Sequence, residues 1–171
     1  MSQRSKSMPG ENHAQVRFSA DAMLGALARW LRVLGCDTSY RRRMVPGELE
    51  KAAVEGRITL TRNRNLAARV RGSVLIQSDH VGDQLKQLAG IYPITSRPEN
   101  RFTLCIECNT RLEDAPADQA REMVPDYVFH ATPGPFKRCS SCGRFFWPGS
   151  HRKRMVEQLR LWDIDSPPPL C

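Results

Sequence analysis

Four cysteines in the C-terminal half of the sequence have the spacing of metal ligands. They form two C-x2-C pairs, Cys105 with Cys108 and Cys139 with Cys142, separated by 30 residues. A gap of two residues lets both sulfurs of a pair face one metal ion, and two pairs complete the tetrahedral sulfur shell that zinc prefers. This shell leaves no position for water, so the predicted zinc ion is structural. The alternatives are four unliganded thiols or two disulfides.

A second set of polar side chains is placed for hydrolytic chemistry. Asp21, Asn63 and Asp79 each follow a segment with the pattern of a β-strand. The carboxyl ends of parallel strands meet at one edge of a sheet, where open α/β folds bind their ligands. Carboxylates gathered there could hold Mg²⁺ or Mn²⁺, which can generate an attacking hydroxide and clamp a phosphodiester. Asp21 and Asp79 could equally be helix caps.

Further charged residues could contribute to the same edge of the sheet. Glu48 lies in the first turn of the second predicted helix, where it could face the cleft or simply favour the helix dipole. Asp37 begins the second predicted strand and therefore lies at the opposite edge. Guanidinium groups match the geometry of phosphates, and four arginines are candidate RNA contacts: Arg29, Arg32, Arg62 and Arg64.

Hydrophobic patterning predicts the elements that position these residues. Apolar residues alternate at the start of the ordered sequence, then recur at helical spacing, and the two patterns continue to alternate. The predicted strands cover residues 16–20, 37–41, 58–60 and 74–76, and the predicted helices cover 23–34, 47–55, 64–70 and 82–89. This alternation predicts a three-layer α/β domain with a parallel sheet over residues 16–96.

The remaining sequence divides into segments of different amino-acid composition. Residues 97–163 carry the cysteine pairs, prolines and aromatics of a zinc ribbon, which we expect to end in a helix over 151–162. The polar stretch 113–135 predicts a long excursion between the two cysteine pairs. Residues 1–15 have the composition of a disordered leader, and residues 164–171 form a Pro-rich tail.

A few residues outside these motifs also have predicted roles. Trp30 and Cys36 are expected in the core, and Cys171 is expected to be a tail thiol. His151 precedes three basic residues at the start of the last predicted helix. It could help to hold a phosphate there, could be a partner of a zinc thiolate, or could be an exposed capping residue.

The composition favours a polyanionic partner. Lys and Arg number 26 against 18 Asp and Glu, which gives a net charge of +8. Such an excess points most often to nucleic acid, although a solvated basic surface would look the same. The sequence has no run of 18 apolar residues, so we expect no membrane span. Without a signal-peptide pattern the expected location is cytoplasmic, where thiols stay reduced.

Several segments resemble the signatures of the Mut7-C family. The stretch Phe18 to Asp37 is similar to the opening signature of that family, and Gly56 to Arg62 is similar to its third-strand motif. The two cysteine pairs and the stretch Phe146 to His151 resemble its C-terminal ribbon. The resemblance implies a PIN-like nuclease fold fused to a zinc ribbon, and a metal-dependent ribonuclease as its activity.

The acidic positions of that family are only partly present. Asp21 matches the first of them. The third-strand motif usually ends in Asp, where this chain has Asn63, and the acid expected at the start of the second helix is either lost to Gly47 or displaced to Glu48. Because Asn offers a neutral carbonyl in place of a charge, these changes would weaken a site for a hard cation.

These observations leave three functional hypotheses. The leading one is a Mut7-C-type ribonuclease that cleaves RNA with Mg²⁺ or Mn²⁺ near Asp21, helped by Asp79 and Glu48, with zinc as a structural cofactor. The second is a catalytically degenerate PIN-like protein that binds RNA or a ribonucleoprotein. The third is a protein-interaction module that uses the ribbon as its contact surface. The oligomeric state stays open.

Overall fold

The computed structural model describes residues 16–43, 45–95, 98–132 and 134–164. The predicted leader, Cys171 and all of the predicted tail except Ile164 lie outside these residues. None of the helices within the described ranges is long and apolar enough to cross a bilayer.

The N-terminal part of the chain forms a four-stranded parallel sheet. Its order is β2-β1-β3-β4, so the chain leaves β1 towards one side and then crosses over to the other. Backbone pairing aligns Phe18 of β1 with Thr38 of β2 and with Ile58 of β3. The strands are β1 (Phe18–Ala20), β2 (Thr38–Tyr40), β3 (Ile58–Thr61) and β4 (Val74–Leu75). The predicted parallel α/β domain is confirmed.

Four helices flank this sheet in the predicted order: α1 (Gly25–Val33), α2 (Glu48–Val54), α3 (Arg64–Arg69) and α4 (Val81–Ala89). A 3₁₀ turn over Ala22–Leu24 precedes α1. The apolar stripe of α1 is buried at Leu27, Ala28 and Leu31 because these side chains recur on one helical face. They join the largest apolar cluster among the described residues, which contains Phe18, Leu60 and Leu85 as well as the predicted core residue Cys36.

The C-terminal part contains a smaller antiparallel sheet with the order β5-β6-β7. Its strands are β5 (Leu112–Asp114), β6 (Lys137–Cys139) and β7 (Phe145–Phe146). The excursion between the cysteine pairs is not only loop, because it contains α5 (Ala117–Met123) and α6 (Asp126–Ala131). Ala120, Val124, Val128 and Phe136 give this segment a small apolar core of its own.

The last helix, α7 (Ser150–Leu161), packs against the α/β layer. Leu159 is fully buried in the large apolar cluster. The rings of Trp162 and Trp30 meet edge to face with centroids 4.8 Å apart. A Cβ atom on Gly82 of α4 would lie 2.7 Å from the Trp162 ring, so this close approach requires glycine. The sequence division at residues 96 and 97 placed α7 with the ribbon; Leu159, the buried residue of α7, packs in the core of the α/β layer.

Candidate functional site

The four predicted cysteine ligands form one cluster. The Sγ atoms of Cys105, Cys108, Cys139 and Cys142 all lie within 4.8 Å of one another. The Sγ atom of Cys108 is 3.3 Å from that of Cys105 and 3.3 Å from that of Cys139. Tetrahedral zinc with Zn–S bonds of about 2.3 Å implies sulfur separations of about 3.8 Å. The donor set and its spacing therefore fit the zinc ribbon that the sequence predicted.

The backbone shapes the two halves of this cluster in the same way. The N–H of Asn109 donates to the carbonyl of Cys105, and the N–H of Gly143 donates to the carbonyl of Cys139, both at 2.9 Å. Asn109 and Gly143 both have a positive φ, of 66° and 73°. Glycine and asparagine tolerate this left-handed conformation best. The residue after each cysteine pair thus closes a tight turn that directs two sulfurs to one point.

Arg32 joins the first cysteine pair to the α/β layer. Its Nη1 atom donates to the carbonyls of Ile106 and Glu107, each at 2.8 Å, and its Nε atom donates to the carbonyl of Thr38 at 2.9 Å. Only 3% of Arg32 is exposed, and burial lowers the pKa of its guanidinium. The sequence predicted an RNA contact here. With its donors directed at three carbonyls, Arg32 is instead a structural residue of this fold.

Arg29 lies on the exposed side of α1, close to the same segment. Its Nη2 atom is 2.9 Å from Oε1 of Glu107, and Nη1 of Arg144 is 3.4 Å from that oxygen. Glu107 therefore offsets part of the positive charge that was predicted to meet RNA. The RNA contact of Arg29 stays a prediction.

Asp37 is held by both parts of the chain. It receives two hydrogen bonds from Arg57, at 2.8 and 3.0 Å, and one from Nδ2 of Asn109 at 2.6 Å. Burial alone would raise the pKa of Asp37, but the hydrogen bonds from Arg57 and Asn109 outweigh it, and the pKa lies below its ordinary value. Its position directly before β2 puts Asp37 at the amino edge of the sheet, as the sequence predicted.

Asp21 lies at the opposite, carboxyl edge, directly after the central strand β1. It is 7% exposed. Its Oδ1 atom accepts from the N–H of Met23 at 2.8 Å, and its Oδ2 atom accepts from the Thr61 hydroxyl and, at 3.2 Å, from the N–H of Arg62. The chain reverses its strand order between β1 and β3, and open α/β sheets bind ligands at such a point. Asp21 therefore lies at the position expected of a ligand site.

The other predicted acids do not converge on Asp21. Oε1 of Glu48 is 3.1 Å from Nε of Arg41, and its Oε2 accepts from the N–H of Val45 at 3.2 Å. Asp79 is exposed. Across the described ranges, the four cysteines are the only group of three or more His, Cys, Asp or Glu residues close enough to hold a metal ion. The carboxylate donor set for Mg²⁺ or Mn²⁺ is thus not assembled.

Asn63, which stands where the third-strand motif usually has an acid, has a structural role. Its Oδ1 atom accepts from the N–H groups of Asn65 and Leu66, at 2.9 and 3.2 Å. Asn63 is therefore the N-cap of α3, a position that Asn and Asp both favour. This explains why the substitution preserves the helix even though it removes a charge from the edge.

Basic side chains dominate the carboxyl edge. Arg62 and Arg64, both predicted as RNA contacts, follow β3, and Arg64 is exposed. Three further arginines follow the neighbouring strand β2 and are exposed: Arg41, Arg42 and Arg43. Of these five, only Arg41 pairs with an acidic group in the part of the chain that the structure describes. The sequence analysis missed Arg42 and Arg43, although a run of three arginines after a strand was a usable signal.

His151 lies at the start of α7 and is exposed. Within the described residues it forms no hydrogen bond to a cysteine of the cluster. It borders an apolar groove between α7 and the ribbon, and Arg152 beside it lies over the Phe102 ring, 4.6 Å from the centroid.

Comparison with known proteins gives one match. The family model described as the Mut7-C RNAse domain matches residues 16–159 of the chain, a span that includes both the parallel sheet and the cysteine cluster. No curated protein matches the chain, and no solved structure does.

Proposed function

The chain belongs to the Mut7-C RNAse domain family, and we propose that it binds RNA at the carboxyl edge of its parallel sheet. The observation that carries this proposal is the set of exposed arginines after β2 and β3, the two strands that flank β1. Guanidinium groups pair well with phosphate oxygens and stack on bases. The net charge of +8 adds a favourable long-range field for a polyanion.

Single-stranded RNA suits this edge because its backbone can follow an irregular line of charges. Arg42 and Arg43 extend the line on one side of Asp21, and Arg62 and Arg64 extend it on the other. Because none of these four is neutralised by an acidic side chain in the described residues, each is free to contact a phosphate. Phosphate contacts of this kind carry little sequence information, so we expect binding that depends on charge more than on base sequence.

Hydrolysis is not part of the leading proposal because the acids do not fit a hard-cation site. Mg²⁺ and Mn²⁺ need several oxygen ligands, usually with more than one carboxylate. Asp21 already accepts three hydrogen bonds from the protein, Glu48 pairs with Arg41, and Asn63 caps α3. The arginines beside Asp21 would also repel a cation. We therefore propose a catalytically degenerate member of the family.

A metal-dependent ribonuclease is the second candidate. The burial of Asp21 at the reversal of strand order favours it, because this is where an open α/β sheet would hold a reacting group. In this case Asp21 would be the central carboxylate, and Glu48 and Asp79 would have to move towards it. The ion would supply an activated water and charge stabilisation at the phosphodiester.

Zinc has a structural role in both candidates. We propose that Cys105, Cys108, Cys139 and Cys142 hold one Zn²⁺ ion as thiolates in a closed site. The ion would fix the segment whose carbonyls accept from Arg32, and would thereby couple the ribbon to the α/β layer. Protein partners of the ribbon stay a prediction.

A labelled single-stranded RNA of about ten nucleotides separates the two candidates. We expect equal binding of the zinc-loaded protein in Mg²⁺ and after brief treatment with EDTA that leaves the zinc bound, and no cleavage when Mn²⁺ is added. Cleavage that requires Mn²⁺ and disappears in Asp21→Asn would replace the leading proposal with the second. Failure of the wild-type protein to bind RNA under any of these conditions would remove both.

A further inference from the structure

A groove between the ribbon and the start of α7 has the chemistry of a nucleobase site. Its walls are apolar, and three of its side chains are aromatic. Among the described residues, no acidic side chain lines it. The apolar and aromatic lining consists of Phe102, Leu104, Ile106, Phe146, Trp147 and Met155, and the basic lining consists of Lys137, His151 and Arg152.

We propose that this groove binds one unpaired base of an RNA strand, with the adjoining phosphate on Arg152. The inference rests on the proposed function, since it assumes that the chain binds RNA, and it adds a second contact surface on the ribbon. Proteins hold unpaired bases by stacking them on aromatic rings or guanidinium planes, beside basic groups that receive the phosphates. The groove offers both kinds of contact within one surface.

The charges around the groove argue for a nucleotide over an apolar peptide. An apolar peptide could pack against the walls, but it would have no charged group to pair with the basic residues at the rim. The first turn of α7 contains no acidic residue, and Arg152, Lys153 and Arg154 follow one another there, all exposed. Arg152 already lies over the Phe102 ring, 4.6 Å from the centroid, and this cation–π contact holds its guanidinium at the wall of the groove. A base and its phosphate complement this arrangement.

Two neighbouring phenylalanines of β7 allow a matched test of the base contact. Side chains alternate between the two faces of a strand. Phe146 lines the groove, whereas Phe145 packs towards the apolar cluster around Phe136. We expect Phe146→Leu to raise the Kd for a labelled oligouridine of about ten nucleotides by about fivefold or more. Phe145→Leu should change this Kd much less. Zinc content and circular dichroism would verify that both variants are folded.

Two arginines of α7 give the corresponding test of the phosphate contact. Arg152 lines the groove and Arg154 does not, although both are exposed. Arg152→Glu and Arg154→Glu change the net charge equally, so a larger loss of affinity in Arg152→Glu would identify a local contact. A backbone-only abasic oligonucleotide should bind the wild-type protein and Phe146→Leu equally well, but should still distinguish Arg152→Glu from Arg154→Glu.

The outcomes separate this inference from the proposed function. If the wild-type protein binds oligouridine but Phe146→Leu binds as tightly as Phe145→Leu, the groove does not hold a base and the inference is wrong. The same conclusion follows if Phe146→Leu weakens the abasic and the intact oligonucleotide by the same factor. If the wild-type protein binds no oligonucleotide, the proposed function itself fails.

Discussion

The Nδ2 atom of Asn109 lies 2.6 Å from Oδ1 of Asp37, and this hydrogen bond joins the first cysteine pair to the amino edge of the parallel sheet. The Oδ1 atom of the same asparagine accepts from the N–H of Thr38 at 2.9 Å. One side chain thus satisfies a donor and an acceptor at the start of β2 while its backbone closes the turn after Cys108. The ribbon and the sheet are therefore coupled through the residue that shapes the metal site.

Replacement of Asn109 should separate these two contributions. Asn109→Gly keeps the left-handed backbone but removes both amide contacts, and it leaves the N–H of Thr38 without its partner. We expect the free energy of unfolding to fall by about 1–3 kcal/mol. Asn109→Ala adds the steric cost of a positive φ and should lose roughly 1 kcal/mol more. Denaturant unfolding of the zinc-loaded proteins measures both changes. A glycine variant as stable as wild type would show that the coupling contributes nothing to stability.

The carboxylate of Asp37 should make part of the stability depend on pH. Its pKa in the folded protein lies below the ordinary value of 3.8. A lowered carboxylate pKa stabilises the fold above the unfolded-state pKa, and this contribution disappears as the pH falls through the folded-state value. We therefore expect wild type to be more stable than Asp37→Asn at neutral pH, and the difference to shrink below about pH 4. Urea unfolding of both proteins across this range gives the difference directly, and a difference independent of pH would contradict the assignment.

Arg32 should respond to substitution as a structural residue. Arg32→Lys keeps the charge but loses the planar fork that reaches Thr38, Ile106 and Glu107. We expect a loss of about 2–4 kcal/mol in the free energy of unfolding. Arg29→Lys, one turn earlier on the exposed face, is the matched control and should change stability by less than about 0.5 kcal/mol. If the folded Arg32→Lys protein lost RNA affinity without losing stability, this result would support the RNA contact that the sequence predicted for Arg32.

Local patterning carried most of what the sequence predicted correctly. The alternation of apolar residues at a period of two and at helical spacing gave the parallel α/β order, with element ends displaced by one or two residues. The spacing of the cysteines gave the metal cluster because both sulfurs of each pair are fixed by a short local turn. These features depend on neighbours in sequence, and such neighbours are visible without a structure.

Long-range contacts account for what the sequence analysis missed. Arg32 was assigned to RNA because it lies off the apolar stripe of α1, but two of the three carbonyls that accept from it belong to residues more than seventy positions later. Long-range contacts also explain why the sequence assigned α7 to the ribbon alone, because its Leu159 packs in a core that begins at Phe18. The helices α5 and α6 were missed because their polar and Pro-bearing sequence has weak periodicity.

Zinc retention should depend on the four cysteines of the cluster and not on the core residue Cys36. We expect about one zinc ion per chain in wild type and a marked loss in Cys142→Ser, because thiolate ligands are required for the closed site. Cys36→Ala should keep its zinc. Burial raises the pKa of the Cys36 thiol to about 12, and it lies in the core away from the cluster. Elemental analysis of the purified proteins measures the stoichiometry. Full zinc retention in Cys142→Ser would contradict the four-cysteine site.

RNA binding should weaken as the salt concentration rises, and removal of arginines at the carboxyl edge should reduce this dependence. Each phosphate contact to a single strand contributes about 0.7 to the slope of log affinity against log salt. Arg62→Gln with Arg64→Gln should therefore lower the slope by about 1.4, as measured by fluorescence anisotropy over a range of salt concentrations.

The matched control removes the same charge from the other end of α3. Arg69 is the last residue of α3 and Arg71 follows it before β4; both are exposed and lie near the amino edge of the sheet. Arg69→Gln with Arg71→Gln should leave the slope close to that of wild type, because these side chains are not beside Asp21. Equal slopes for the two double variants would mean that RNA responds only to net charge, and the carboxyl edge would then lose its place as the binding site.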